Sequence, residues 1–442
     1  MEYYSFIHFG INTINNVEWG KGSENIAAFN PKKLDTDQWC SVLKKTGSKG
    51  VIITAKHHDG FCLWTTKQTD HCVTNTPFKK DIVKMLSESC KKYGLKFGIY
   101  LSPWDRHEKT YGTEEYNDFY IRQLKELCTN YGDVFCFWFD GACGEGPNGK
   151  KQIYDWQRYY STIRELQPNA VISVCGPDVR WIGNEAGRVR ESEWSVIPAD
   201  KEKEEAIMEN SQQTDDGGKE VSKTDERDAD LGSREVLRNH SKLVFKPAEA
   251  DVSINLGWFW HGNLYYLFKR NRTAKDLADI YFKTVGGNAT LLLNVPPDRT
   301  GLINKREVKN LEKFTSLINE PFRSKIKDYK LSVINEELTE RAYPENGSCA
   351  FNADEWIIKA SFSKEEKVSA VVIREDLRFS QRIESFRVFA KKNESYIEVG
   401  KGTVIGSKKI LFLKKAVTTS ELLFAVTGVR EDPVIRDIAF YN

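Results

Sequence analysis

Short apolar runs recur through the first half of the chain, and each gives way to a stretch of helical period. The runs are residues 4–9, 50–55, 96–101, 134–139 and 170–175. Apolar residues repeating at helical spacing between such runs are the βαβα pattern of a parallel sheet. The stretch 36–46 reads as a helix with Thr36 as N-cap, Asp37 near its positive end, Trp39, Val42, Leu43 and Thr46 on one face, and Gly47 ending it. Residues 81–93 repeat the design and stop at Gly94. Over 113–131, Tyr116, Phe119, Tyr120, Leu124, Leu127, Cys128 and Tyr131 share a face before Gly132, and a fourth helix over 152–166 stops at Pro168. Right-handed crossovers put all these helices outside the strands, and no glycine-rich phosphate loop follows any strand. A (β/α)8-like barrel is therefore favoured over a dinucleotide-binding sheet. Strands over 251–254 and 289–295 and helices over 274–285 and 305–318 continue the pattern less regularly, so it fades before eight units are counted.

A chain of 442 residues with 40% hydrophobic content has room for a catalytic domain of roughly 250 to 330 residues and a smaller companion. The expected division is 1–320 for the barrel and 321–442 for an all-β sandwich, because the later apolar runs are short and alternating. Residues 200–230 carry almost no large apolar side chain and read as an exposed insertion. Lysine plus arginine (65) balance aspartate plus glutamate (63), which gives no reason to expect nucleic acid as a partner. Nine cysteines, odd in number and without a CxxC pair, argue against a disulfide framework or a zinc site. No apolar stretch is long enough for a membrane span, and the first residues lack the form of a leader, which leaves a cytoplasmic protein or a trimmed one. Oligomeric state is not legible.

Chemistry in such barrels sits at the C-terminal ends of the strands. Polar residues collect there repeatedly: His8-Phe9-Gly10, then Lys56-His57-His58-Asp59-Gly60-Phe61, then Ser102-Pro103-Trp104-Asp105-Arg106-His107, then Trp138-Phe139-Asp140-Gly141. A metal site from His8, His57, His58 and Asp59 is disfavoured, because adjacent histidines point apart and the spacing fits no standard zinc pattern. Asp140 leaves a rigid apolar run beside Trp138, and Gly141 leaves room for a sugar ring. A helix-capping role competes with a chemical one. In the chemical reading a carboxylate attacks an anomeric carbon and a second carboxyl group protonates the leaving oxygen. The candidates for that second group are Asp178, Glu185, Glu191 and Glu193.

These motifs, with Glu18-Trp19-Gly20, resemble in order and spacing those of glycoside hydrolase family 29, the α-L-fucosidases. The segments 100–107, 176–187 and 251–261 further resemble the branch acting on α-1,3- and α-1,4-linked fucose, and the likeness covers roughly residues 1–320. It implies a retaining α-L-fucosidase with Asp140 as nucleophile and Glu185 as acid/base. The implied fucose pocket is His8, Glu18, Trp19, His57, His58, Tyr100 and Trp138, with fucosylated glycans as partners and no cofactor or metal. Rival readings are a barrel glycosidase of other specificity, such as an α-galactosidase, and a silent glycan-binding protein.

Overall fold

The computed structural model describes residues 1–199, 230–262, 271–335, 337, 339–344, 347–351 and 355–442. The expected insertion at 200–230 therefore lies outside the described residues, apart from Asp230. Among the described residues ten strands precede Glu320: β1 (Tyr3–Ile7), β2 (Gly50–Lys56), β3 (Lys96–Leu101), β4 (Val134–Phe139), β5 (Val171–Val174), β6 (Arg180–Trp181), β7 (Val196–Pro198), β8 (Leu243–Phe245), β9 (Ala248–Ser253) and β10 (Ala289–Asn294). β7 and β8 pair with each other. The remaining eight form one sheet in the order β5, β4, β3, β2, β1, β10, β9, β6, and every pairing is parallel. The two ends of the row meet where Val174 N–H donates to the Val179 carbonyl at 3.1 Å and Ser173 bridges Val179. A parallel row whose ends meet is a barrel, as the alternation implies.

Helices Thr36–Lys45, Ile82–Tyr93, Glu114–Asn130 and Trp156–Leu166 follow β1 to β4, and Ala274–Thr284 links β9 to β10. Their capping explains their limits. Asp35 rather than Thr36 caps the first, its carboxylate accepting Gln38 N–H, while Thr36 turns inward to Ser89. Asp155 caps the fourth, which starts four residues later than its apolar spacing suggests. β5 and β6 are joined by a tight return without a helix, and Val174 takes the left-handed φ of 68° there. For a β-branched residue that conformation is strained by about 1–3 kcal/mol, which the barrel packing around it must offset. Each large apolar side chain buried between sheet and helices contributes about 1.5–3 kcal/mol toward that end.

Beyond Glu320, the strands β11 (Tyr329–Asn335), β12 (Glu340–Ala342), β13 (Cys349–Ala350), β14 (Glu355–Glu375), β15 (Ile383–Lys392), β16 (Ser395–Gly402), β17 (Lys409–Val429) and β18 (Val434–Tyr441) are antiparallel throughout. β14 and β17 shift register between Ser361 and Glu366 and again between Val368 and Ala370. The sheet folds over at these irregularities, because Phe362 from one half of β14 meets Phe440, whose strand pairs with the other half (centroids 5.5 Å). Residues of both halves share one apolar cluster, so the unit is a sandwich. It is anchored to the barrel by Lys408 on Glu2 (2.7 Å), by Ser407 N–H donating to Asn288 Oδ1 (2.7 Å), and by the Arg430 guanidinium 3.6 Å from the Trp194 ring centroid. Among the described residues no helix is long and apolar enough to cross a membrane.

Candidate active site

At the C-terminal ends of the barrel strands lies a cavity of about 460 Å³, its mouth included, lined by Phe6, His8, Trp19, His57, His58, Tyr100, Trp138, Asp140, Ala142, Glu185, Asp251 and Trp258. Eight of the nine site residues expected from sequence are in that lining. Glu18 stands one residue back, accepting the Trp258 backbone N–H at 2.7 Å and facing His261 Nε2 at 2.5 Å.

Asp140 follows β4 and is about a quarter exposed, facing the cavity. Tyr100 Oη donates to its Oδ2 at 2.9 Å, Ala142 N–H donates to its Oδ1 at 2.8 Å, and His58 Nε2 lies 3.8 Å from Oδ2. Two donors fix the carboxylate plane while leaving it reachable from the cavity. Of the four candidates for the second carboxyl group, Glu185 alone reaches this space. Asp178 pairs with Arg164 at 2.5 Å and accepts Ile172 N–H, Glu193 is fully buried between Arg180 and Arg190, and Glu191 is exposed to solvent. Glu185 is half-buried and its Oε2 accepts the Trp258 indole N–H at 3.0 Å.

The three histidines are neutral at ordinary pH. Burial drives His8 down to about 3 and His58 to about 4, and lowers His57 well below the usual imidazole value. Their hydrogen bonds set the tautomers. Ser102 gives its hydroxyl proton to the Trp104 carbonyl, so it accepts from His58 Nδ1 (2.8 Å), and His58 Nε2 keeps its lone pair. His8 Nδ1 donates to Asn294 Oδ1 (3.0 Å), whose amide group is committed to Ser253 and the Trp258 carbonyl. His57 Nδ1 accepts from Asn12 Nδ2 (3.4 Å), which leaves Nε2 as a donor. The pocket thus offers acceptors and a donor to hydroxyl groups without adding positive charge. His57 and His58 do not point apart as their adjacency suggests: their ring centroids are 4.1 Å apart. The ladder register slips between Thr54 and Lys56, and the chain leaves the strand there, so strict alternation ends. Asp59 turns away to accept Phe61 N–H at 2.8 Å. Among the described residues no group of three or more His, Cys, Asp or Glu is placed to hold a metal ion.

Aromatic faces complete the wall. Tyr100 stacks on Trp138 (5.4 Å, 22°), and Trp19 meets His58 and Trp104 edge-on. Such faces suit the apolar C–H side of a pyranose and its methyl group. Trp138 is held from behind by Glu249, which accepts its indole N–H at 2.7 Å and also the Tyr4 hydroxyl. Phe6, Ala142, Asp251 and Trp258 were not singled out from sequence. In Ala248-Glu249-Ala250-Asp251-Val252-Ser253 the alternate alanines face the outer layer, while Glu249, Asp251 and Ser253 face inward. A strand placed from Asp251 onward hides that alternation. Burial pushes the Asp251 carboxyl well above its ordinary range, with Glu185 and then Asp140 adding to the effect, and Trp181 Nε1 donates to it at 2.7 Å.

Facing carboxyl groups among imidazole and indole rings at the rim of a parallel barrel define the class of glycoside hydrolases acting from strand ends. The chain belongs to the α-L-fucosidase family, glycoside hydrolase family 29, whose sequence model matches residues 8–320. It is 37% identical to alpha-L-fucosidase 1 of Arabidopsis thaliana, over 99% of this chain and 84% of that protein. A family 29 member from an unknown rumen bacterium superposes with a TM-score of 0.79 at 33% identity, covering 100% of this chain and 75% of that one. A Ruminococcus gnavus family 29 fucosidase solved in complex with fucose gives a TM-score of 0.80 at 27% identity, covering 100% and 92%. The protein is thus a glycoside hydrolase with α-L-fucosidase activity.

Proposed function

We propose that the chain is a retaining α-L-fucosidase that removes terminal α-1,3- or α-1,4-linked L-fucose from fucosylated oligosaccharides and glycoconjugates. Asp140 is its nucleophile and Glu185 its acid/base. In the first step an Asp140 oxygen bonds to C1 of fucose as the C1–O bond to the aglycone breaks, and Glu185 gives its proton to the departing oxygen. In the second, water attacks C1, its proton passes to Glu185, and the Asp140 ester bond breaks. His8, His57, His58, Tyr100, Trp19 and Trp138 bind the sugar through hydroxyl contacts and ring faces, and Glu18 acts from the rear of the same wall. The observation that carries this reading is that one cavity receives both Asp140 and Glu185, while Asp178, Glu191 and Glu193 are engaged elsewhere or face solvent. The α-1,3/1,4 preference rests on the likeness of residues 100–107, 176–187 and 251–261 to that branch.

Asp140→Ala is expected to lose several orders of magnitude in kcat, with azide restoring part of it as β-fucosyl azide. An unchanged kcat would remove the nucleophile assignment. Glu185→Ala should lose far more on substrates with poor leaving groups than on activated aryl fucosides; if Asp251→Asn behaves that way instead, the acid role passes to Asp251. Parallel assays on α-1,2-, α-1,3- and α-1,4-fucosylated oligosaccharides and on aryl α-D-galactoside test the specificity.

A further inference from the structure

Trp258 is fixed from four sides. Its backbone N–H donates to Glu18 Oε2 at 2.7 Å, and its carbonyl accepts Asn294 Nδ2 at 2.7 Å. Its ring packs against His8 with centroids 5.0 Å apart, and its indole N–H donates to Glu185 Oε2 at 3.0 Å. The chain is shaped for this approach: Gly257 has a φ of 94°, and a Cβ there would sit 2.2 Å from Glu18 Oε1. His261, two residues beyond Phe259, closes on the same Glu18 carboxylate. A loop ring that only walled a sugar pocket would have no need of its N–H on the acid/base, nor of a carboxylate clasping its backbone.

We propose that Trp258 is the positioning residue of the acid/base: Glu18 seats the 257–261 loop, and the Trp258 indole N–H holds the Glu185 carboxyl toward the leaving oxygen. This rests on the reading of Glu185 given above. A donor on the carboxylate stabilises its ionised form, which is the form that takes the proton from water in the second step. Among the described residues, charged or titratable groups near Glu185 include Asp251 and Asp140 across the cavity, the Arg272 guanidinium behind it, and neutral His8 beside Trp258.

The test is Trp258→Phe, which keeps a ring and removes the N–H, measured on a fucosyl disaccharide and on an activated aryl fucoside, alone and in a Glu185→Gln background. The loss of a hydrogen bond to a charged group predicts a fall of about 10- to 100-fold in kcat/KM on the disaccharide. A smaller fall is expected on the aryl fucoside. The basic limb of the kcat/KM profile should move up by about one pH unit. In the Glu185→Gln background the same change should cost under about twofold, because the two residues act as a unit. Equal losses on both substrates with an unmoved limb, or undiminished losses in the Glu185→Gln background, would overturn the proposal while leaving the acid/base reading intact. If Glu185→Gln itself shows no dependence on the leaving group, that reading fails, and this proposal with it. Should Trp258→Phe fold poorly, the benzothienyl analogue of tryptophan, which has sulfur in place of N–H, supplies the same comparison without changing shape.

Discussion

Lys56→Met is a demanding test of how the catalytic face is supported. Lys56 ends β2, directly before His57 and His58, and its ammonium is buried with Asp105 Oδ2 at 2.8 Å, Gln123 Oε1 at 2.9 Å and Tyr116 Oη at 3.4 Å. The rings of Tyr116, Phe119 and Tyr120 surround it. Neither partner reaches solvent, at 0% and 2% exposure, so the pair is not screened and removal of one charge strands the other. That loss costs about 3–5 kcal/mol. Burial pushes the Asp105 carboxyl up, but Lys56 together with the His107 and Glu108 N–H groups more than reverses this and holds it below its usual value. The pair's contribution is therefore present above the unfolded carboxyl's value of about 3.9 and is lost as pH falls through the lower, folded one. Without the lysine, burial raises Asp105 instead, and the folded variant takes up a proton before the unfolded chain does. The penalty should then be largest at pH 7 to 8 and smaller near pH 5. Urea unfolding followed by tryptophan fluorescence reads the barrel, since ten of the 11 tryptophans precede Glu320. Adding Asp105→Asn should restore part of the loss. A penalty under about 1 kcal/mol at pH 7, or one equal at pH 5 and pH 8, would refute the argument, because an unpaired buried carboxylate must show both size and pH dependence.

Two further outcomes follow from the same geometry. Burial raises Asp59 to about 7, with Glu24 and Asp105 adding to the effect, so the folded state holds a proton that the unfolded chain releases, and stability falls as pH rises from about 4 to 7. Asp59→Asn keeps the acceptor for Phe61 N–H and should gain stability relative to the parent between pH 5 and pH 8; thermal melts showing a constant difference would contradict this. Gly257→Ala places a Cβ against Glu18 at a left-handed φ and should cost about 1 kcal/mol or more of local stability. Its kcat/KM on a fucosyl disaccharide should fall by about tenfold as Trp258 shifts; unaltered kinetics would show that the loop's seat is not needed.

The barrel was readable because its signals are local. Runs such as Gly50-Val51-Ile52-Ile53-Thr54 and helices closed by Gly94 or Gly132 carry their geometry within a few residues. β6 was not readable, since two residues, Arg180 and Trp181, present no period, and its place beside β9 depends on the Val174 return. β9 was read three residues short because Glu249 and Asp251 look like a solvent face. In this barrel the polar face of β9 is the inner one, satisfied by Tyr4, Trp138 and Trp181 from other strands.

The site divides along the same line. Residue types at strand ends, and their likeness to one family, named Asp140, Glu185 and the histidines without any coordinates. What each does was decided by partners distant in the chain. Glu185 and Glu193 are eight positions apart by subtraction (193 − 185), yet one opens on the cavity and the other is locked between Arg180 and Arg190. Glu18 was read as a pocket residue and stands behind Trp258, 240 positions away. Sequence by itself determined periodicity, and hence which of the longer elements form. The long-range packing decided which polar ends are desolvated together, and a carboxyl group or imidazole takes its charge and its proton from that surrounding.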